Sequence, residues 1–120
     1  MVKIQDLIGE TMSSVKKVGD DVLSFTTNNG RIFEFYHSQD CCEMVYIDDI
    51  VGDLDDLVGN PIIIAEDVSS EAESSPKDVD DYSFTWTFYK FSTIKGSVTV
   101  KWYGTSNGYY SESVDLREVK

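Results

Sequence analysis

The densest group of reactive side chains is a short run that begins at the single histidine. It contains His37, Asp40, Cys41, Cys42 and Glu43. Imidazole, thiolate and carboxylate groups all bind zinc. However, adjacent cysteines cannot easily reach one tetrahedral ion together, and the chain has no further Cys or His. A Cys–His nucleophile pair would need an orienting group and an oxyanion loop, and the sequence shows neither. We therefore expect no metal site and no catalytic residue here, but buried cysteines at a corner that the two acids tie through backbone N–H groups.

A second group combines aromatic rings with short hydroxyl and amide side chains. Aromatic faces stack on planar bases, and hydroxyls and amides read the edges of those bases. Arginine suits phosphate because its planar fork makes paired hydrogen bonds, and the chain has only two arginines. A structural interpretation also stands, with Trp102 in the core and Asn107-Gly108 in a hairpin turn. The candidate ligand-binding residues are Arg31, His37, Trp86, Trp102, Thr105, Asn107, Tyr109, Tyr110 and Arg117.

Signatures of other nucleotide chemistry are absent from the sequence. Neither Gly-x-x-x-x-Gly-Lys-Ser/Thr nor Gly-x-Gly-x-x-Gly occurs, so we expect no ATPase, no dinucleotide enzyme and no cofactor. The pairs Asp48-Asp49 and Asp55-Asp56 lack the spacing of an EF-hand.

The net charge of −12 is concentrated in the middle of the chain. Residues 40–81 carry 14 acidic side chains against the single Lys77. Such a field repels nucleic-acid backbones, so we expect no nucleic-acid partner. Two interpretations stay open: a solvated acidic face with a loop, or an acidic surface that mimics DNA and occupies a basic partner.

Length and composition predict one domain over residues 1–120, with a mobile acidic loop at 67–81. No apolar run approaches the ~20 residues that span a bilayer, so we expect no membrane partner. Adjacent cysteines are not a secreted disulfide framework, and no apolar signal stretch follows Met1. A cytoplasmic location is the resulting expectation.

Alternation of apolar and polar residues predicts a mostly antiparallel β meander of the α+β class, with one or two short helices. The first hairpin turns at Asn28-Asn29-Gly30. In the second, Phe84, Trp86 and Phe88 alternate with threonines that suit a half-exposed surface. The return strand follows Lys95-Gly96 and carries Val98, Val100 and Trp102, and Asn107-Gly108 opens a third pass that reaches Val114.

Two segments of similar sequence indicate an internal duplication. Asp6-Leu7-Ile8-Gly9 matches Asp56-Leu57-Val58-Gly59, and each reads as a short helical turn closed by glycine. A strand-like run follows each one, at Thr11 to Val18 and at Pro61 to Val68, and a hairpin comes next. The pattern predicts a unit of cap, strand and hairpin that occurs twice.

The motif His37-Ser38-Gln39-Asp40-Cys41-Cys42-Glu43 and the later run from Val45 to Gly59 resemble a family of small proteins of tailed phages and prophages. Trp86-Thr87-Phe88-Tyr89 and the run from Trp102 to Ser111 are similar to its second half. The resemblance covers about residues 31–115 and names no activity by itself.

The same family resembles the Thoeris anti-defence proteins, which are non-enzymatic phage proteins that bind cyclic ADP-ribose signals, some of them cyclic oligonucleotides too. The resemblance implies a phage anti-defence protein that sequesters a nucleotide-derived immune signal without catalysis, in the cytoplasm of an infected bacterium. It implies a base on aromatic rings and phosphates on arginine. The alternative is an acidic inhibitor that covers the nucleic-acid-binding surface of a host defence protein. Exposed strand edges also lead us to expect a homo-oligomer.

Overall fold

Period-two alternation of apolar residues produces an all-antiparallel β protein, as the sequence predicts. The computed structural model describes residues 2–38, 43–70, 83–106 and 113–119. Within these ranges the only helical elements are two 3₁₀ turns, and no α-helix occurs. The elements are η1 (Ile4–Leu7), β1 (Met12–Val18), β2 (Val22–Thr27), β3 (Ile32–Tyr36), β4 (Met44–Val51), η2 (Leu54–Leu57), β5 (Ile64–Ser70), β6 (Ser83–Thr93), β7 (Gly96–Ser106) and β8 (Asp115–Val119).

The strands form two four-stranded sheets. Sheet 1 has the order β1-β2-β3-β8, and sheet 2 has the order β4-β7-β6-β5. Every strand pair within them is antiparallel. Each sheet therefore contains a three-strand meander plus one strand from elsewhere in the chain.

One hydrophobic core joins the inner faces of the two sheets. Aromatic rings meet across it: the centroids of Phe25 and Phe91 lie 5.0 Å apart, and those of Phe35 and Tyr89 lie 4.6 Å apart. Trp102 is fully buried in the same cluster. The apolar area removed from water by these rings is the main source of stability for a domain that has no α-helix in its described part.

The two matching segments do form equivalent structures, which confirms two similar sheet units. Gly9 donates its backbone N–H to the Ile62 carbonyl at 2.7 Å, and Gly59 donates to the Met12 carbonyl at 2.9 Å. These hydrogen bonds exchange roles under a shift of 50 positions. Thr11 bridges Pro61, its own equivalent, in antiparallel fashion. An approximate two-fold axis therefore passes between η1–β1 and η2–β5.

The fourth strand of each unit crosses to the other sheet. β4 leaves the first unit and pairs with β7, whereas β8 leaves the second unit and pairs with β3. Most of the expected third pass, from Asn107 to Val114, lies outside the described residues, and the strand that follows it, β8, lies in sheet 1 rather than beside β7. β4 was not expected as a strand, because Asp48 and Asp49 make its second half polar.

The predicted mobile loop at 67–81 is partly strand. Asp67 to Ser70 belong to β5, and residues 71–82 lie outside the described residues. No helix in the described ranges is long and apolar enough to span a membrane.

Gly52, directly after β4, lies in crowded surroundings. Its φ is +111°, and a Cβ there would lie 2.7 Å from the Ser97 carbonyl oxygen. We expect Gly52→Ala to lower the free energy of unfolding by more than about 2 kcal/mol, because left-handed strain adds to a backbone clash. Gly30→Ala is the matched control, since Gly30 has φ +90° but open space around it. It should cost about 1 kcal/mol in urea unfolding. Equal losses in the two variants would contradict the clash.

Candidate functional site

The outer face of sheet 2 carries a second aromatic cluster, separate from the core. Alternation along β6 and β7 directs Val98, Val100 and Trp102 inward, so that their neighbours point outward. Trp86 pairs with Tyr103 in the β6–β7 register and therefore faces outward with it. We call this surface the outer aromatic face; it consists of Tyr46, Phe84, Trp86, Phe88 and Tyr103, with Lys101 between the rings.

Tyr103 is the centre of the outer aromatic face. Its ring centroid lies 4.7 Å from Trp86, 5.7 Å from Tyr46 and 6.3 Å from Phe84. Tyr103 is 1% exposed and Trp86 is 3% exposed, whereas Tyr46 and the two phenylalanines are half-buried. The face thus has a rigid aromatic base with partly accessible rings around it.

Lys101 covers the Trp86 ring. Its Nζ lies 4.4 Å from the Trp86 centroid and 5.8 Å from that of Phe88. A cation over an aromatic face is attracted to the ring quadrupole, by about 0.5–2 kcal/mol depending on solvation. The lysine side chain is flexible, so this cover is movable.

The indole N–H of Trp86 is the unusual feature of the face. Its Nε1 is buried and has no hydrogen-bond acceptor among the residues that the structure describes. A buried donor without an acceptor costs about 1–3 kcal/mol, and such atoms are rare in folded proteins. An acceptor from a ligand would recover this energy.

Tyr46 adds a neutral hydroxyl to the same face. Burial raises the pKa of Tyr46, and the nearby Asp48 carboxylate raises it further. The phenol therefore keeps its proton at neutral pH and can donate a hydrogen bond.

The nine predicted ligand residues are divided among several places. Trp86 and Thr105 share the outer aromatic face, since Thr105 pairs with Phe84 in the sheet. Trp102 is 0% exposed and lies in the core, so it offers no surface to a ligand. Asn107, Tyr109 and Tyr110 lie outside the described residues.

Both arginines lie on sheet 1 and are held by carboxylates. Arg31 donates from Nε and Nη2 to Glu118, each at 3.1 Å, and Arg117 donates from Nη2 to Glu34 at 2.9 Å. In each case the side-chain hydrogen bond to the glutamate is the main cause of a raised arginine pKa. The structure does not bring these phosphate candidates to the outer aromatic face.

His37 follows β3 and lies beside Glu43, just before β4, and Ser113, just before β8. Its Nδ1 is 2.8 Å from the Ser113 carbonyl oxygen, and because a carbonyl only accepts, Nδ1 carries a proton. Its Nε2 is 3.8 Å from Glu43 Oε2, and the two side chains are only 4% and 1% exposed. His37 is thus a buried structural residue that links the ends of β3, β4 and β8.

The predicted corner at the cysteine run falls largely outside the part of the chain that the structure describes. Gln39 to Cys42 lie outside the described residues. In the described part of the chain, no three His, Cys, Asp or Glu side chains are grouped to hold a metal ion.

The candidate ligand residues chosen from the sequence did not include Tyr46, Lys101 or Tyr103. It also assigned the faces of β6 the wrong way round: Thr87 is buried on the inner side, and Phe84 and Phe88 are half-buried on the outer side. The alternation of β7 could have shown the correct faces. If Trp102 lies in the core, Tyr103 must point outward, and so must Trp86, its partner on β6.

Comparison with known proteins gives one assignment. No curated protein and no solved structure matches the chain. Residues 5–116 match one family model. The matched range contains every named element in full except η1, which begins one residue earlier, and β8, which ends three residues later. The chain therefore belongs to the family of DUF7448, a domain of unknown function.

Proposed function

We propose that this protein is a phage anti-defence protein that binds a nucleotide-derived immune signal, such as a cyclic ADP-ribose isomer, and sequesters it without catalysis. The observation that carries the proposal is the buried Trp86 Nε1, a donor without an acceptor in the described residues, on a face of aromatic rings. The resemblance of the His37–Glu43 motif and of the Trp102–Ser111 run to small phage and prophage proteins supports the biological setting.

The binding mode follows from Lys101. When a nucleotide arrives, the ammonium group leaves the Trp86 ring and pairs with a phosphate. The base then packs against the half-buried rings of Tyr46, Phe84 and Phe88, and an acceptor atom on its edge takes the Trp86 N–H. Lysine serves here as a mobile point charge rather than as a planar fork.

The overall charge of −12 does not prevent this mode. Screening reduces the effect of exposed charges beyond about 8–10 Å at ordinary salt, so the local ammonium dominates at contact distance. The negative field of the protein lowers the association rate of an anionic ligand, and added salt raises that rate by screening the repulsion.

Trp86→Phe is the most direct test of the donor. We expect about five- to tenfold weaker binding in calorimetry with glycocyclic ADP-ribose and with cyclic di- and trinucleotides. The variant loses the indole N–H donor but still has an aromatic ring at this position. Lys101→Met should weaken binding by a similar factor and reduce its salt dependence.

Arg31→Gln and Arg117→Gln are the matched controls. They remove one positive charge each, as Lys101→Met does, but from sheet 1, so the affinity should stay unchanged. If none of the signals produces binding heat in calorimetry, the proposal is refuted. A loss of affinity confined to the arginine variants would place the site on sheet 1. Recovery of an altered signal after denaturation of the protein would rule out simple sequestration.

The alternative function is inhibition of a host defence protein through an acidic surface. The observation that favours it is a group of exposed carboxylates from the end of β4 to η2: Asp48, Asp49, Asp53 and Asp55. Pull-down from host lysate discriminates the two functions. An inhibitor retains a specific host protein, and replacing these four aspartates by asparagine should abolish that retention. A sequestering protein retains a small molecule instead.

A further inference from the structure

A cleft of about 400 Å³ opens between the two sheets, on the side away from the outer aromatic face. Three parts of the chain meet there: the N-terminal segment, the β3–β8 pair of sheet 1 and the β5–β6 pair of sheet 2. The residues that line it are Val2, Ile4, Phe35, Tyr36, Asp67, Tyr89, Val114, Asp115 and Leu116.

The cleft has an apolar floor and an acidic mouth. Ile4, Phe35 and Tyr89 are buried at its base, whereas Asp67 and Asp115 are exposed. A concave apolar site with a few convergent polar groups is the usual form of a small-molecule site. Asp67 belongs to β5 of sheet 2, and Asp115 begins β8 of sheet 1.

Tyr89 brings a phenol to the lining of the cleft. The residue is 6% exposed. Its ring is held between Phe35 and Phe91, with centroids at 4.6 Å and 6.4 Å. Burial, followed by the charges of Asp67 and Asp115, raises its pKa, so the hydroxyl stays protonated and uncharged.

The two charged residues among the described lining of the cleft are both acidic. No lysine or arginine is among the residues that line it in the described structure. Arg117 lies beside the lining residue Tyr36, with its Cζ 4.1 Å from the ring centroid, and Glu34 holds it by two hydrogen bonds. Among the residues that the structure describes, no cation therefore lines the opening beside the carboxylates of Asp67 and Asp115.

We propose that this cleft binds a small organic cation, an ammonium or guanidinium group on a short apolar body. The charged head lies between Asp67 and Asp115 and donates an N–H to the Tyr89 hydroxyl oxygen. The apolar body packs against Phe35 and Leu116. Such a site rejects anions, so it is independent of the nucleotide site on the outer aromatic face.

Calorimetry and NMR titration with 2-phenylethylammonium test the proposal. Phenylacetate and 2-phenylethanol serve as anionic and neutral ligands of similar shape. We expect saturable binding of the ammonium alone, weakened by sodium chloride because the carboxylates are exposed. Shifted amide signals should cluster in β3, β5, β6 and β8. Absence of binding, or equal binding of the alcohol or the acid, would overturn the proposal.

Substitutions in the cleft separate specific binding from general attraction to an acidic protein. Asp67→Asn, Asp115→Asn and Tyr89→Phe should each weaken 2-phenylethylammonium binding, the two aspartate changes by about tenfold or more. Glu66→Gln is the matched control, because Glu66 precedes Asp67 on β5, is exposed, and points to the opposite face of the sheet.

The control removes the same charge and should leave the affinity unchanged. Equal weakening by Glu66→Gln and Asp67→Asn would show that only net charge matters and would refute the site. Unchanged thermal melting of the two aspartate variants, whose side chains are exposed, keeps loss of binding distinct from loss of fold.

Discussion

Trp102→Ala is expected to lower the free energy of unfolding by about 3–5 kcal/mol, one of the two largest effects of any single substitution considered for this chain. Trp102 is fully buried among the inner-face residues of both sheets, so truncation leaves a cavity that neighbouring strands cannot close. Urea unfolding followed by circular dichroism measures the loss. A change below about 1 kcal/mol would mean that Trp102 is not in the core.

Trp102→Phe is the control that separates volume from chemistry. The indole Nε1 of Trp102 is buried and has no hydrogen-bond partner in the described ranges, so phenylalanine removes an unsatisfied donor while it keeps most of the apolar contact. The expected loss is only about 1–2 kcal/mol. Both Trp102 variants, compared at temperatures where they are folded, should bind ligand as the unchanged protein does.

His37→Ala is expected to have a comparable effect, about 3–5 kcal/mol, for an electrostatic reason. The imidazole lies 3.8 Å from the Glu43 carboxylate, and both side chains are almost completely buried. Removing the imidazole takes away the group that faces the Glu43 carboxylate, leaves a space in a buried place, and removes the hydrogen bond to the Ser113 carbonyl.

The exposed ion pair of Lys17 and Asp20 is the control for this result. Its Nζ–Oδ1 distance is 3.2 Å, shorter than that of the buried pair, but 81% of the Asp20 side chain is exposed. Lys17→Ala should cost less than about 1 kcal/mol. A double-mutant cycle of His37→Ala with Glu43→Gln measures the interaction energy between the two side chains. An interaction energy near zero would show that they do not stabilise each other.

The local parts of the fold could be predicted from the sequence because they depend on neighbouring residues. Asn28-Asn29-Gly30 does turn the β2–β3 hairpin, and the two Asp-Leu-x-Gly segments do form 3₁₀ turns that end near glycines with positive φ. The repeat at a spacing of 50 positions was readable for the same reason.

The exchange of β4 and β8 between sheets could not be predicted from these local signals. Which sheet a strand joins depends on partners far along the chain, such as Ile47 against Trp102 and Leu116 against Phe35. Strand alternation is the same for either destination.

The candidate site was only partly predictable. Trp86 and Thr105 were chosen from residue type, and they do share a face. Trp102 was chosen for the same reason and lies in the core, because residue type says nothing about which side of a strand is buried. The cleft residues Asp67, Tyr89 and Asp115 come from three strands, so no sequence spacing connects them. Self-association and the identity of the signal stay predictions.

Fluorescence of the two tryptophans tests the central claim most directly, since each single Phe variant leaves one indole as the reporter. In Trp102→Phe the reporter is Trp86, and titration with glycocyclic ADP-ribose or a cyclic dinucleotide should change its emission saturably. In Trp86→Phe the reporter is Trp102 in the core, and its emission should stay constant. Constant Trp86 emission during binding, or an equal change from Trp102, would contradict a ligand site on the outer aromatic face.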